Sequence, residues 1–427
     1  MRISRILLSL FVFSQVAFAG NFVRISPSGK YFQLEDGTSF VPIGSNEAMN
    51  WPEMMCIYPN HGEYNPPGAE HYFQMLRKHG VNCIRIMAEA ANTGIRNGGA
   101  FLEEPVGEYV QDTVAFLDGL FELATQHHIY VILTPFDTFW MDKKWDQHPY
   151  NAVNGGPAHS REEFLTSEAV FKCQQERMRS LIDRFGNSDF LFAWEILNEV
   201  DMRWGATPEQ QRDWTARMAK FVREYEKTKW GTNHLITVSL TETEVEADSR
   251  IPSLLLDNPF LDFVTTHIYY PQGRAPVDPI QPALEFGRGI RRQLEQIEQS
   301  VQRPFFASEF GPVDLWPLPD ELDDELFHNM SWAHLATGAA GAGLRWPYRW
   351  HHILSEGMRE SQLGLSLVAS KIPWSTFAAR NVDERLSVST PDGQKVHPVG
   401  CGDEQQFLIW LVRESNSKKV GDGDTQL

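Results

Sequence analysis

Apolar residues in this chain follow two alternating rhythms. Short unbroken apolar runs, such as Ile129-Tyr130-Val131-Ile132-Leu133 and Phe190-Leu191-Phe192-Ala193-Trp194, are bounded by turn residues. Between them lie longer stretches whose apolar residues recur three and four apart. The runs predict strands buried on both faces, and the stretches predict amphipathic helices. Two short segments, 22–25 and 31–34, flank Ser26-Pro27-Ser28-Gly29 and predict a hairpin, which Asp36-Gly37 turns into a first strand of the main sheet at 40–44. Strand-like runs follow at 81–87, 129–133, 190–199, 235–240, 263–269, 304–310 and 342–346. Helical patterns at 69–79, 109–127, 167–185, 207–228, 282–300, 319–337 and 363–370 alternate with them, and 252–256 carries only a weak helical signal. Gly80 and Gly186 mark C-terminal caps.

Eight strands spaced at about 40 residues predict an α/β fold closed as a (β/α)8 TIM barrel rather than an open sheet. No Gly-rich phosphate loop follows an early strand, which argues against nucleotide binding. After Trp374 the pattern shifts to short strand-like segments at 385–390, 395–399 and 406–412, around Asp392-Gly393 and Gly400-Cys401-Gly402. The expected organisation is a barrel over 20–376 with its short N-terminal β-hairpin, then a small β-rich C-terminal segment over 377–427. Residues 414–427 read as a polar, disordered tail.

Residues 1–19 read as a signal peptide: Arg2 and Arg5, an apolar core over 6–12, and Ala17-Phe18-Ala19, with cleavage expected after Ala19. That places the protein outside the cytoplasm, secreted or periplasmic, with no membrane segment once the signal is removed. A net charge of -18 excludes nucleic acid and anionic membrane surfaces as partners. Cys56, Cys83, Cys173 and Cys401 lack metal-site spacing, and export leaves three possible disulfide pairings open. Cys83, inside an apolar run, is expected as a buried thiol. The 14 His include no His-x-His and no His-Glu-x-x-His, so neither a metal nor another cofactor is expected.

The chemistry concentrates at strand ends. Ala193-Trp194-Glu195-Ile196-Leu197-Asn198-Glu199 and Phe305-Phe306-Ala307-Ser308-Glu309-Phe310-Gly311 are apolar runs that each deliver a Glu. Glu199 and Glu309 lie 110 residues apart, three strands around a ring of eight. Two carboxyl groups facing across a barrel mouth are the minimum equipment of a glycosidase, and a retaining double displacement needs them ~5–5.5 Å apart. Asn198 is placed to position a sugar hydroxyl, and Glu195, on the same strand face, to pair with a cation inside the barrel. Arg85, at the end of the second strand among apolar neighbours, is the cation fitted to keep a nucleophilic carboxylate ionised. His267 and Tyr269, two residues apart, share a strand face, so Tyr269 is expected to bond Glu309 with His267 assisting.

Trp194-Glu195-x-x-Asn198-Glu199, His267-x-Tyr269 and Ser308-Glu309-Phe310-Gly311 resemble the signature strands of clan A glycoside hydrolases. They are most similar to glycoside hydrolase family 5, the cellulase and β-mannanase family, and the resemblance runs over about residues 22–376. It implies Glu199 as acid/base, Glu309 as nucleophile, Arg85 at the family's conserved arginine and Trp346 at its strand-eight tryptophan. One departure stands out: where the family has a third-strand His, this chain reads Thr134-Pro135-Phe136-Asp137, and Asp137 is the expected replacement as a sugar ligand.

Trp51, Trp140, Trp145, Trp204, Trp316, Trp346 and Trp350 all fall at or after strand ends, where flat rings suit pyranose faces. Long loops over 46–68 and 135–160 are placed to wall a groove. The expected function is therefore a secreted retaining β-glycoside hydrolase, endo-acting on a β-1,4-linked polysaccharide, β-mannan or β-glucan. The alternatives are an exo-acting β-mannosidase or β-glucosidase and a non-catalytic carbohydrate-binding barrel. The sequence sets no oligomeric state, and Asn329-Met330-Ser331 is a sequon only in a glycosylating host.

Overall fold

The short apolar runs become parallel strands covered on both faces. A computed structural model of the protein describes residues 21–47, 66–89, 101–201, 205–241, 253–272, 279–313, 320–346 and 353–413. The N-terminal strands β1 (Val23–Ile25), β2 (Phe32–Leu34) and β3 (Ser39–Phe40) form a small antiparallel sheet. Eight parallel strands follow: β4 (Gly44–Asn46), β5 (Cys83–Met87), β6 (Tyr130–Thr134), β7 (Leu191–Glu195), β8 (Leu235–Thr237), β9 (His267–Gln272), β10 (Glu309–Val313) and β11 (Leu344–Arg345). Every residue of β5, β6 and β7 is buried, as strands sandwiched between a barrel interior and an outer helical layer must be.

The pairing order runs β8-β7-β6-β5-β4-β11-β10-β9. Backbone bonds from Asp262 N–H to the Ile236 carbonyl (2.8 Å) and from His267 N–H to the Leu240 carbonyl (3.2 Å) bridge the remaining gap. The ring is thereby joined all the way round. Between the strands run α1 (Pro66–Lys78), α2 (Gln111–His127), α3 (Thr138–Lys143), α4 (Glu163–Thr166), α5 (Glu168–Phe185), α6 (Pro208–Trp230), α7 (Ser253–Leu256), α8 (Ile280–Ser300), α9 (Asp320–Ala336) and α10 (Glu356–Ala369). Their boundaries have local causes. At α6 the Thr207 side chain and Gln210 form a reciprocal capping box before Pro208, and Gly231 ends the helix at φ 74°, a cap worth about 1 kcal/mol. Gly80, also at φ 74°, ends α1, and a Cβ there would lie 2.6 Å from the Ser366 side chain.

The N-terminal sheet closes the bottom of the barrel. Phe32 meets Phe192, Phe263 and Phe306 edge-on, with ring centroids 5.0, 5.5 and 6.1 Å away. Those three rings lie nearly parallel to one another. With that end filled by aromatics, the strand C-terminal ends are left as the functional face. At the other end of the chain β12 (Arg380–Asn381), β13 (Val396–Gly402) and β14 (Phe407–Arg413) form an antiparallel sheet. Val399, Trp410 and Val412 join the core that also holds α9 residues Leu326, Phe327 and Met330.

Several boundaries differ from the sequence reading. The run 40–44 divides at Pro42, which has no N–H to donate: Phe40 pairs with β2, and the barrel strand starts at Gly44. The last helix begins at Glu356, not near 363, because Ser355 caps it by accepting the Met358 N–H at 3.2 Å. Its early turns escaped the apolar pattern because Arg359 and Gln362 point inward. Arg359 pairs with Glu47 at 3.0 Å, and Gln362 donates to the Gly44 carbonyl. Residues 386–390 are not a strand, and Gly400-Cys401-Gly402 are strand rather than turn. Beside that strand Asp383 accepts from Gly400 N–H (2.7 Å) and from Arg291 (3.0 Å).

Cys83, Cys173 and Cys401 are free thiols, the first fully buried as expected. The sequon Asn329 is 6 % exposed within α9, where a glycan has no room. Residues 1–19, Cys56, Trp51, Trp204, Trp316 and Trp350 lie outside the described residues, as does most of the 46–68 loop. Among the described residues no helix is long and apolar enough to cross a membrane.

Candidate active site

Arg85 is the hub of the barrel mouth. Strand β5 carries it into the interior, 2 % exposed, and all five of its N–H bonds find acceptors. Nε and Nη2 grip the two Glu195 oxygens at 2.6 and 2.7 Å. Nη1 donates to Glu309 Oε1 at 2.5 Å and to Asn46 Oδ1 at 2.7 Å, and Nη2 donates to Asn198 Oδ1 at 2.7 Å. The expected pairing of Glu195 with an interior cation is thus present as a bidentate bridge, the strongest geometry such a pair has. Burial opposes the Arg85 charge, but Glu195 and Glu309 more than offset it. Burial likewise works to raise the Glu195 carboxyl, yet the Arg85 charge and hydrogen bonds hold it below the ordinary range.

Glu309 opens β10 and receives one hydrogen-bond donor beyond Arg85, with His267 close by. Tyr269 Oη–H donates to Oε2, and His267 Nδ1 lies 3.4 Å from the same oxygen. Burial raises the Glu309 carboxyl, while His267, Arg85 and the Tyr269 hydrogen bond draw it back. Tyr269 itself is kept as a phenol, its pKa pushed well up by burial and by the Glu309 charge.

Glu199 has a different environment. It sits on the turn after β7, 8 % exposed, with φ 50°. A left-handed backbone costs an L-residue roughly 1–2 kcal/mol, so the surroundings must hold it there. They do: Glu199 N–H donates to Ser239 Oγ (3.0 Å), and Thr138 Oγ1–H bonds the Asn198 and Glu199 carbonyls at 2.6 and 3.1 Å. His267 Nδ1 lies 2.7 Å from Glu199 Oε1. Burial pushes the Glu199 carboxyl up to about 8, the Asp201 and Glu195 carboxylates add to that, and Arg85 opposes it. Among the described residues no arginine bonds Glu199, whereas Arg85 bonds Glu309, so the two carboxyl groups sit in different electrostatic surroundings. Burial lowers the His267 pKa against the pull of Glu309. The neutral ring can accept from a protonated Glu199 or donate to its carboxylate, following it through both states.

Asn198 is oriented by elimination. Arg85 can only donate, so the Asn198 oxygen faces it, and Nδ2 turns to Asp137 Oδ1 at 2.9 Å. Asp137 also accepts the Phe139 N–H at 3.1 Å. In this arrangement Asp137 holds the Asn198 amide in place. Trp346 is partly buried, its N–H bonded to the Phe310 carbonyl at 3.0 Å. Trp145 stacks on His148 with centroids 5.8 Å apart, a packing role within the 135–160 loop.

Sequence reasoning missed Asn46, whose Nδ2 donates to the Ser308 carbonyl at 2.8 Å while its oxygen holds Arg85. It also missed Ser239 and Thr138. The available signal was a polar residue at the C-terminal end of each apolar run, the same one that marked Glu199. Among the described residues, Glu199, His267 and Glu309 are the one group of three acidic, His or Cys side chains whose donor atoms converge, within 4.8 Å of one another. A carboxylate oxygen of Glu199 therefore lies within 4.8 Å of one from Glu309. The two carboxyl groups thus face one another across the barrel mouth. Hydrogen bonds to Arg85, Tyr269 and His267 already engage both carboxylates.

Comparison with known proteins agrees with the motifs. The profile of Cellulase (glycosyl hydrolase family 5) matches residues 43–314. Mannan endo-1,4-beta-mannosidase 1 of Oryza sativa subsp. japonica is 23% identical over 401 residues, 86% of each chain. Its Arabidopsis thaliana counterpart is 22% identical over 67% of this chain and 73% of its own. A solved family 5 mannosidase from Rhizomucor miehei superposes with TM-score 0.59 at 15% identity, covering 83% of this chain and 99% of its own. The exo-beta-1,4-mannosidase Op5Man5 from Opitutaceae bacterium strain TAV5 gives 0.58 at 18% identity, covering 82% and 63%. With its profile match spanning well over half its length, and the eight-stranded barrel expected from the alternating pattern in place, the chain belongs to glycosyl hydrolase family 5 and is an O-glycosyl hydrolase.

Proposed function

We propose that this protein is a secreted, retaining β-mannan hydrolase, endo-acting on β-1,4 linkages, with Glu309 as nucleophile and Glu199 as acid/base. The observation that carries it is the asymmetry between two carboxyl groups whose nearest oxygens lie within 4.8 Å: Arg85 grips Glu309, whereas Glu199 is buried with no arginine bonded to it among the described residues and is pushed up to about 8. In the first step a Glu309 oxygen attacks the anomeric carbon. The bond to the glycosidic oxygen breaks, its electron pair stays on that oxygen, and the oxygen takes the Glu199 proton. In the second step water attacks the same carbon, the Glu199 carboxylate takes the water proton, and the ester bond returns its pair to Glu309. Two inversions leave the β configuration intact. Arg85 and Tyr269 stabilise the departing Glu309 carboxylate, and Asn198 meets a sugar hydroxyl beside the scissile bond.

Mannan is the favoured substrate because the curated relatives matched are named mannan endo-1,4-beta-mannosidases. Trp346 is assigned as a ring platform under the sugar. The leader-like residues 1–19 support export to the periplasm or the medium. The test is a panel of mannan, glucan and xylan polymers read for reducing ends, with proton NMR of the first anomer released. Rapid viscosity loss on mannan and a β product are expected. Monosaccharide release from chain ends would move the reading to an exo-mannosidase, and a first-formed α product would remove the double displacement. N-terminal sequencing of the exported protein should begin at Gly20.

A further inference from the structure

The turn that presents Glu199 is held by contacts the double displacement does not use. Glu199 and His128 are the two non-glycine residues with positive φ among the described residues, and His128 lies at a helix end, where that conformation is common. After Glu199 the segment 239–241, which continues from β8, supplies four bonds. Ser239 accepts the Glu199 N–H on its hydroxyl and the Val200 N–H on its carbonyl, both at 3.0 Å. Thr241 then donates its N–H to Asp201 Oδ1 (2.7 Å) and its hydroxyl to Asp201 Oδ2 (2.8 Å). Both Asp201 oxygens are fixed, two residues beyond the acid/base.

Among the described residues, the charged groups around Glu199 are few. Asp201 and Glu195 come from its own turn and strand, Arg85 from β5, His267 and the phenol of Tyr269 from β9, and Glu309 from β10; Asp137, after β6, bonds the adjacent Asn198. Segment 239–241 brings only hydroxyls and backbone. Next to burial, the Asp201 charge is the largest influence on Glu199, ahead of the opposing Arg85, and it reaches His267 as well.

We propose that Asp201 is a positioning residue: anchored on Thr241, it closes the left-handed turn that aims Glu199 and places a fixed negative charge beside it. This rests on Glu199 being the acid/base. Asp201 does not touch the reacting atoms and acts through Glu199 alone.

The experiment compares the wild type with Asp201→Asn, which can keep both Thr241 bonds but loses the charge, and with Asp201→Glu, which keeps the charge. Asp201→Ser is a second neutral variant should the amide pack poorly. Carboxyl carbons are titrated by NMR, with Glu199 assigned by its loss in Glu199→Gln, and kcat/KM is followed against pH. In the neutral variants Glu199 is expected to titrate about one pH unit lower. The alkaline limb of kcat/KM should move with it, lowering the rate at pH 8 about 5-fold to 10-fold while leaving pH 5 nearly unchanged. Asp201→Glu should leave the limb in place. A Glu199 resonance that titrates alike in wild type and Asp201→Asn overturns the inference. Failure of the acid/base reading is a separate result: Glu199→Ala would then retain the full rate on mannan.

Discussion

Replacing Arg85 by Met removes the one cation that two buried carboxylates share. Glu195 is fully buried and Glu309 4 % exposed, so neither can turn to water, and breaking such a pair costs about 3–5 kcal/mol. Five hydrogen bonds are lost with it, and Asn46 and Asn198 each lose a donor. For a chain of this length the unfolding entropy is about 0.9 kcal/mol per degree, so a 4 kcal/mol loss lowers Tm by about 4 °C. The pH dependence follows from Glu195. Its folded pKa is depressed, so the bridge contributes its stability above the unfolded value of about 4.3 and loses it as pH falls through the folded pKa. Calorimetry should therefore show wild type and variant separated by several degrees at pH 7 and converging at the acid end. Activity carries an independent signature: without Arg85, burial raises the Glu309 carboxyl further, and the acid limb of kcat/KM shifts to higher pH. A Tm within 1 °C of wild type at pH 7, or an unmoved acid limb, would refute the account of Arg85 as the hub.

Tyr269→Phe deletes a charge-assisted bond to Glu309, the proposed nucleophile, so kcat should fall about 10-fold to 100-fold with a rise in the acid limb, read from pH–rate profiles. Glu199→Ala should still form a covalent intermediate from an aryl mannoside with a good leaving group, visible as a mass increment, whereas Glu309→Ala should form none; equal behaviour would contradict the assigned roles. His334 holds β10 from behind, accepting the Ala307 N–H at 3.0 Å and bonding the Gly341 carbonyl at 2.8 Å. Burial lowers its pKa to about 4, against that Gly341 bond. Because the folded pKa lies below the unfolded one, stability is lost as pH falls from about 6.5 to about 4, by roughly 3 kcal/mol in all. A neutral His334→Gln variant should flatten that part of the Tm-against-pH curve. Gly311→Ala should impair both fold and rate: φ is 142°, and a Cβ would lie 2.5 Å from the Arg345 guanidinium, two residues from Glu309.

The barrel was legible because strand burial and helix amphipathicity write two different periods into the chain, and eight alternations at near-constant spacing have few other solutions. Glu199, Glu309, Arg85 and Tyr269 were legible because polar residues at the end of an apolar run must be solvated or paired; Arg85 and Tyr269 meet Glu309 as expected, while His267, expected beside Glu309, hydrogen-bonds Glu199 instead. Boundaries failed where polar side chains face inward. Arg359 and Gln362 hide the first turns of α10. Asn46, Ser239 and Thr138 were not legible because their partners are fixed only by register across the ring. Asn46 meets Arg85 because those two residues are paired neighbours on β4 and β5, a relation that no local window contains. Asp137 lies at the expected mouth, but it braces Asn198.

The ring of Phe32 has consequences for how this molecule is made. Its neighbours Phe192, Phe263 and Phe306 follow 160, 231 and 274 residues later in the chain. The hairpin is thus capped only after most of the barrel strands have been made, and until then its aromatic ring stays uncovered. Maturation should be slow and sensitive to holding chaperones. Trimming the N-terminus beyond Phe32 would uncork the vessel from below, so purification handles belong at the other terminus.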